Sequence, residues 1–388
     1  MKEKQYTLGD FVEVPLSSMI DPQSSSYDRF VGLEHYDSHE PVITRYSGKE
    51  ILTSSVKEFK RGDFLIARRN VYLERSGVAI FDGITSGDSI ILRVKEDIDH
   101  NTGIPAELVK RILPFVLNSN SFWAYANRHA DGMNSKRISK DKILDFEFNL
   151  PSIEYLSLLS DKLWAAYELK RSYQDMIKTT DEMVKSQFIE MFGDQNTNDK
   201  CWSESLVKDE FKLSMGKTPA RNNPECWDNG NHKWVSISDM SSYARYTGDT
   251  SEYITDYAIA DSGIKPVPKG TIIMSFKLSI GRTAITSEDI YTNEAIMAFA
   301  DFDEKKFNID FLHFLIANKN WLLGAKQAVK GQTLNKESIG NAKIIIPPIE
   351  MQEQFASIYN QADKSKFELK KAIEAIDKVI KSLINENL

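Results

Sequence analysis

The chain has 388 residues and a mass of 44.2 kDa, enough for two or three domains of ordinary size. Apolar residues make up 41% and charged residues 27%, as in proteins that bury real cores; no apolar run approaches the ~20 residues of a membrane helix, and the polar opening Met1–Gln5 carries no secretion signal. Cys201 and Cys226 alone build neither a disulfide framework nor a four-ligand zinc site, which fits the reducing cytoplasm, and a net charge of −7 requires any nucleic-acid surface to be local or partly supplied by a partner.

Taken in chain order, Lys60-Arg61-Gly62 introduces the apolar run Asp63-Phe64-Leu65-Ile66, and Gly77-Val78-Ala79-Ile80 follows. Both read as strands. A first long helix is expected over 152–192, with no Pro after its first turn. A second globular stretch follows, in which Lys269-Gly270 introduces Thr271-Ile272-Ile273-Met274, and Arg282-Thr283-Ala284-Ile285 comes after it. A second long helix is expected over 349–385, entered through Pro347-Pro348; proline is tolerated in a first turn, and Glu350 suits the positive end of the helix dipole.

The second half repeats the first at a spacing of 196 residues. Leu150-Pro151-Ser152-Ile153-Glu154 aligns with Ile346-Pro347-Pro348-Ile349-Glu350. The same register pairs Ala166 with Ala362, Lys170 with Lys366, Ile177 with Ile373, Asp181 with Asp377 and Lys185-Ser186 with Lys381-Ser382. That is roughly nine identities in about 36 positions, where chance gives about two. The strand-forming runs upstream match more loosely and in the same order.

The expected fold class is therefore α+β: two mixed α/β domains, 1–150 and 193–347, with a central helix at 151–192 and a C-terminal helix at 348–388. Apolar positions step by three and four along the second helix, through Phe355, Tyr359, Ala362, Leu369, Ile373, Ile376, Ile380 and Leu383. Shifted back by 196, the stripe reads Leu159, Leu163, Ala166, Tyr173, Ile177, Thr180 and Val184. Each stripe is broken by a lysine at the same level, Lys170 or Lys366. Matched stripes of this kind predict an antiparallel coiled coil with an internal pseudo-twofold repeat, and a polar seam residue fixes register. Ile358, Ala372, Val379, Met176 and Met183 widen the stripe, which points to a second covered surface, such as a partner's helices. A helix of about 37 residues spans roughly 55 Å, or about 16 base pairs of DNA at most, so the expected object is two heads on a stiff spacer.

Catalytic signatures are missing. No Gly-x-Gly-x-x-Gly follows a strand; Gly216-Lys217-Thr218 lacks the earlier glycine of a phosphate loop, with Phe211 in its place and Pro219 directly after. Ile346-Pro347-Pro348-Ile349 is not the Asp/Asn-Pro-Pro-aromatic tetrad of an amino-methyltransferase. The six histidines have no metal spacing. The Glu-x-Lys triplets at Glu58, Glu168 and Glu368 lack an acidic partner for nuclease chemistry.

Recognition chemistry is richer. The second half contains Met215-Gly216-Lys217-Thr218-Pro219, Asn222-Asn223-Pro224-Glu225-Cys226-Trp227, Trp234–Met240, Val267–Arg282, Thr292–Ile296 and Gly331-Gln332-Thr333-Leu334-Asn335-Lys336. This series resembles a target-recognition domain of a type I restriction-modification specificity subunit (S, HsdS). Val31–Tyr36, Gly62–Asn70 and Phe81–Asp88 resemble another such domain, and Pro347–Gln354 resembles the family's entry to its helices. The first copy departs there, with Tyr155-Leu156-Ser157-Leu158 in place of Met351-Gln352-Glu353-Gln354.

The resemblance implies a non-catalytic chain that binds double-stranded DNA at an asymmetric bipartite site, one half per domain. It implies docking of two methyltransferase (modification) subunits, which methylate adenine with S-adenosylmethionine, and two restriction (motor-nuclease) subunits, which use ATP and Mg. No cofactor, metal or membrane is expected for this chain itself. Arg and Lys grip guanine O6/N7, while Asn and Gln pair with adenine N6/N7. The candidate DNA-binding residues are therefore Arg68, Arg69 and Asn70 in the first domain, and Lys217, Arg221, Asn222, Asn223, Lys277, Arg282, Lys330 and Gln332 in the second. Trp227 and Trp234 are expected to pack the domain rather than stack on bases. Two rival readings are a coiled-coil scaffold that never touches DNA and a self-contained restriction enzyme.

Overall fold

A computed structural model of the chain describes residues 4–16, 20–50, 52–133, 135–277, 279–322, 327–328, 331–332 and 334–388. It forms two compact units, Met1–Asp175 with Leu369–Leu388, and Met176–Glu368. Each long helix, Ile153–Phe192 and Ile349–Asn387, contributes one segment to each unit.

In the first unit a five-stranded sheet runs in the order Val12–Glu13, Ser89–Val94, Phe64–Ala67, Ser76–Ala79, Val42–Ile43. The last pairing is parallel and the others are antiparallel. The second unit has a four-stranded sheet in the order Lys212–Met215, Ile296–Ala300, Ile272–Ser275, Thr283–Ile285, antiparallel throughout. The first four strands of the two sheets thus follow the same order along the chain. Both expected basic-Gly turns precede the third strand of that order. Gly62 and Gly270 sit at φ +91° and +77°, where a side chain is strained.

A second, three-stranded sheet differs between the units. In the first, Gly83–Ser86 is central, parallel to Phe30–Val31 and antiparallel to Val56–Phe59. In the second, His232–Val235 is central, antiparallel to Glu252–Ile254 and parallel to Tyr291–Thr292. Each unit also joins an early strand to its last one. Lys4–Thr7 pairs antiparallel with Glu147–Leu150, and Ser203–Leu206 with Lys343–Ile346. The two last strands are 196 residues apart, so the repeat read in the helices extends into the sheets.

Within each unit the two helix segments run antiparallel. In the first, Tyr155 Oη donates to Asn387 Oδ1 at 2.8 Å, and Lys170 pairs with Asp377 at 2.8 Å. In the second, Lys366 pairs with Asp181 at 2.7 Å, and the Phe188 and Phe355 rings meet at 5.3 Å. The two ion pairs are copies of each other under the 196-residue shift, with the lysine from one helix and the aspartate from the other in each case. Of the expected stripe, Leu159, Leu163, Val184, Phe355, Tyr359 and Ala362 are buried. Tyr173, Ile177, Leu369, Ile373, Ile376, Ile380 and Leu383 are half-buried. Leu156, Tyr167, Phe188 and Phe192, outside that stripe, are buried as well. Met176, Met183 and Val379 remain about half exposed.

One seam lysine also meets a loop of the sheet region. Lys170 pairs with Glu40 of the loop before Val42–Ile43. In the second unit the polarity is reversed. Buried Arg245 pairs with Asp310 and Asp363, and donates to Asn360 at 2.8 Å. The helix starts differ in the same spirit. Buried Gln352 donates to the Pro347 and Lys306 carbonyls and accepts from Asn308 N–H. Its counterpart Leu156 packs into an apolar core instead.

Candidate nucleic-acid interface

In the first unit the end of strand Phe64–Ala67 runs into Arg68-Arg69-Asn70. Asn70 takes a left-handed conformation (φ 54°), which reverses the chain into the turn Val71–Leu73. The backbone here is closed on two sides: Arg68 N–H reaches Asp88 O at 2.9 Å, and Asn70 N–H reaches Lys136 O at 2.8 Å. Arg69 and Arg137 form an antiparallel bridge. Three segments therefore converge: 68–75, 86–89, and residues 131 and 135–138.

Their side chains make a basic cluster around one carboxylate. Arg69 Nη1 lies 3.6 Å and Arg137 Nη2 3.3 Å from Asp88. Arg69 Nε donates to Ser135 Oγ at 2.8 Å, and Ser135 Oγ donates to Asn70 Oδ1 at 3.1 Å. Arg68 Nε is buried without a hydrogen-bond partner among the described residues. Lys57 donates to Ser89 O at 2.9 Å; burial first, and then the nearby Arg68 charge, holds its ammonium below the usual lysine range. Tyr72 and Met133 stand exposed beside the cluster in sequence.

In the second unit, Gly216 passes so close to Thr292 that a Cβ would lie 1.8 Å from its carbonyl oxygen. That approach lets Lys217 N–H bond Thr292 O at 2.9 Å, and it gives the Gly-Lys-Thr run a packing role. Lys217 Nζ donates to Ser262 O at 2.9 Å. Thr218 donates to Glu294. That hydrogen bond first, with the Lys277 and Arg221 charges adding, holds the Glu294 carboxyl below the usual range. Arg221 lies 4.2 Å from the Trp227 ring centroid and 4.6 Å from that of Trp234, and it pairs with Glu252. Trp234 is buried, and its Nε1–H donates to Lys217 O at 2.9 Å. Trp227 stands edge-on to it.

The expected residues therefore divide. Thr218 is bonded to Glu294, Arg221 is held by Glu252 and the tryptophans, and Lys277 lies 5.5 Å from the Phe276 ring centroid. Asn223 has a structural duty, since its side chain accepts Glu225 N–H and caps the turn Pro224–Cys226. Asn222 and Arg282 are exposed, with no side-chain partner among the described residues. Gln332 lies in a two-stranded hairpin opposite Gln327. Lys330 lies outside the described residues.

Sequence reasoning passed over Lys57, Asp88, Ser135, Lys136 and Arg137. For Ser135 and Lys136 a signal was available in the repeat, since shifting 330–332 back by 196 lands on 134–136. Among the described residues, no group of three or more His, Cys, Asp or Glu side chains is placed to hold a metal ion. No helix there is long and apolar enough to cross a membrane.

Residues 200–377 match the family model for the type I restriction modification DNA specificity domain. The type I restriction enzyme MjaIX specificity subunit of Methanocaldococcus jannaschii is 25% identical over 184 residues, 46% of this chain and 42% of that protein. The HindI specificity subunit of Haemophilus influenzae is 24% identical over 192 residues, 47% of this chain and 41% of its own. These matches span about two-fifths of the length of the curated relatives. The S subunit of a type I restriction-modification system from M. genitalium has a similar fold, with TM-score 0.52, 11% identity, and coverage of 100% of this chain and 96% of that one. A chain from work on complex assembly and conformational transition of the type I R-M system gives TM-score 0.53 at 15% identity, covering 100% and 98%. The resemblance read in the sequence thus stands on a matched domain, on named specificity subunits and on a shared fold.

Proposed function

We propose that this chain is the DNA sequence-specificity subunit of a type I restriction-modification complex. Each unit reads one half of an asymmetric bipartite site in double-stranded DNA. The helices dock two methyltransferase subunits, and two restriction subunits join the assembly. The chain itself performs no chemistry. S-adenosylmethionine, ATP and Mg belong to the partner subunits, and the complex works in the cytoplasm.

One observation carries this reading. The two units share a four-strand order and a terminal strand pair, yet carry different chemistry at the corresponding loops: arginines around Asp88 in one, and Thr218 on Glu294 with Arg221 on Glu252 and the tryptophans in the other. A common scaffold with divergent polar tips is what two readers of different half-sites need, because base edges are distinguished by side-chain donors and acceptors. Apolar side chains left exposed on the helices, among them Leu169, Met176, Met183 and Val379, support the docking role.

The test is mapping of methylated adenines in cells with and without this chain. Loss of one bipartite, asymmetric motif on deletion is expected. An unchanged methylation map would refute the proposal and favour a scaffold, and DNA cutting by the purified chain alone with Mg would favour a self-contained enzyme.

A further inference from the structure

The basic cluster of the first unit is built unlike a phosphate grip. Phosphate binding rewards net positive charge and tolerates loose geometry, since the ligand is a diffuse anion. Here a carboxylate, Asp88, sits between two guanidinium groups at 3.6 and 3.3 Å. That placement lowers the net charge, which weakens a phosphate grip. It also fixes the direction of the donor edges, which matters for a base.

The fixing extends further. Arg69 is held at Nε by Ser135, which is in turn held by Asn70. Arg69 Nη2 and Arg137 Nη1 have no partner among the described residues. Each guanidinium is thus tied back through part of its donor set and keeps one terminal nitrogen free, so the two arginines together offer two N–H donors to a pair of acceptors. Guanine presents such a pair, O6 and N7, at the major-groove edge.

Resting on the function proposed above, we infer that Arg69 and Arg137, oriented by Asp88, form a fork that reads guanine in one half of the DNA site. Asp88 is the positioning residue; the two arginines touch the base. Under the 196-residue shift in sequence, Ser135 and Lys136, next to Arg137, align with Gly331 and Gln332.

The experiment uses the full chain assembled with its methyltransferase subunits, and selection of bound duplexes from a randomised DNA pool. The wild-type complex is expected to return a bipartite motif with at least one invariant G·C pair in one half. Arg137→Ala and Arg69→Ala are expected to lower discrimination at that pair by about tenfold or more, leaving the other half letter for letter unchanged. Arg137→Lys keeps the charge and loses the planar fork, so it is expected to relax the same pair. Asp88→Asn is expected to relax it while leaving total DNA affinity equal or higher. Far-UV circular dichroism and retention of the methyltransferase subunits check assembly of each variant. If the wild type returns a bipartite motif but the arginine variants weaken binding to all sequences equally, with a shallower salt dependence, the residues grip phosphate and the inference falls alone. If the wild type returns no bipartite motif, the functional reading falls and takes the inference with it.

Discussion

The repeat places a lysine at equivalent points of both helices, yet the two lysines have unequal surroundings, and truncating each to alanine tests whether those surroundings set stability. The Lys170 side chain is 11% exposed and bridges Glu40, 22% exposed, and Asp377, 49% exposed. Removing one partner of a buried ion pair costs about 3–5 kcal/mol. Asp377 is half in water and regains hydration, so Glu40 carries most of the penalty, and about 2–3 kcal/mol is expected for Lys170→Ala. Lys366 is 19% exposed, its partner Asp181 is 51% exposed, and its other partner Asp363 keeps Arg245 when the lysine is lost. Lys366→Ala is therefore expected to cost about 0.5–1 kcal/mol, as for a surface pair. The measurement is urea unfolding read by hydrogen exchange of peptides from each unit. At an m-value of about 2.5 kcal/mol per molar urea, Lys170→Ala moves the first unit's midpoint down by about 1 M and Lys366→Ala moves the second's by about a third of that. A double-mutant cycle of Lys170→Ala with Glu40→Ala should show coupling of about 1 kcal/mol or more. Burial pushes the Lys170 ammonium down, but hydrogen bonds to Asp377 and Glu40 outweigh it, so its folded pKa is raised above 10.5. The contribution is then fully present below pH 10.5 and is lost as pH rises through the folded value. Equal midpoint shifts for the two lysine variants, or strict additivity with Glu40, would refute this account of the seam.

Three further outcomes follow from the same kind of reasoning. Burial, with the Arg245 charge adding, holds the His313 imidazole down at about 4 against 6.5 when free; the second unit should lose stability as pH falls through this window, by about 3 kcal/mol at most. In His313→Gln that acid slope should vanish from urea titrations. Asp239 accepts from Ser236 N–H and hydroxyl, Ser251 N–H and hydroxyl, and the Thr250 hydroxyl, so Asp239→Ala should cost about 2–3 kcal/mol; a thermal midpoint unchanged from wild type would contradict this. Gly62→Ala and Gly270→Ala meet open space but positive φ, so each should cost about 1 kcal/mol through backbone strain alone, with the two losses matching in chemical unfolding.

Much of the helical framework was legible because a helix writes its contacts at fixed spacing. Leu159, Leu163, Val184, Phe355 and Tyr359 lie on the two apolar stripes and are buried. The repeat made Lys170 and Lys366, Asp181 and Asp377 visible as identities before their pairing was known. What periodicity could not supply were contacts made by loops. Glu40 and Arg245 reach the helices from irregular segments, and nothing in their neighbourhood marks them. Tyr167 was missed because its repeat partner is the polar Asp363, so tracing one stripe from the other hid it. In the sheets, Gly62 and Gly270 announced their strands, since a positive-φ turn leaves a compositional trace. Which strand sits at the centre of the three-stranded sheet depends on tertiary pairing and differs between the units. The proposed interface was legible as residue types only. Arg68, Arg69 and Asn70 lie beside Asp88, Ser135 and Arg137, whereas Asn223 is committed to its own turn and Arg221 to Glu252 and the tryptophans.

The antiparallel pairs Lys4–Thr7 with Glu147–Leu150 and Ser203–Leu206 with Lys343–Ile346 have an architectural corollary. The chain enters and leaves each sheet-bearing region at neighbouring points, side by side, just ahead of a helix. Whatever lies between the clasped ends can lengthen, shorten or change identity without moving the point of exit, much as a bead can be exchanged on a ring that closes at a single clasp. Loop variation inside one region is thereby decoupled from the phase of the rods, and loops of new chemistry can arise while the framework keeps its register.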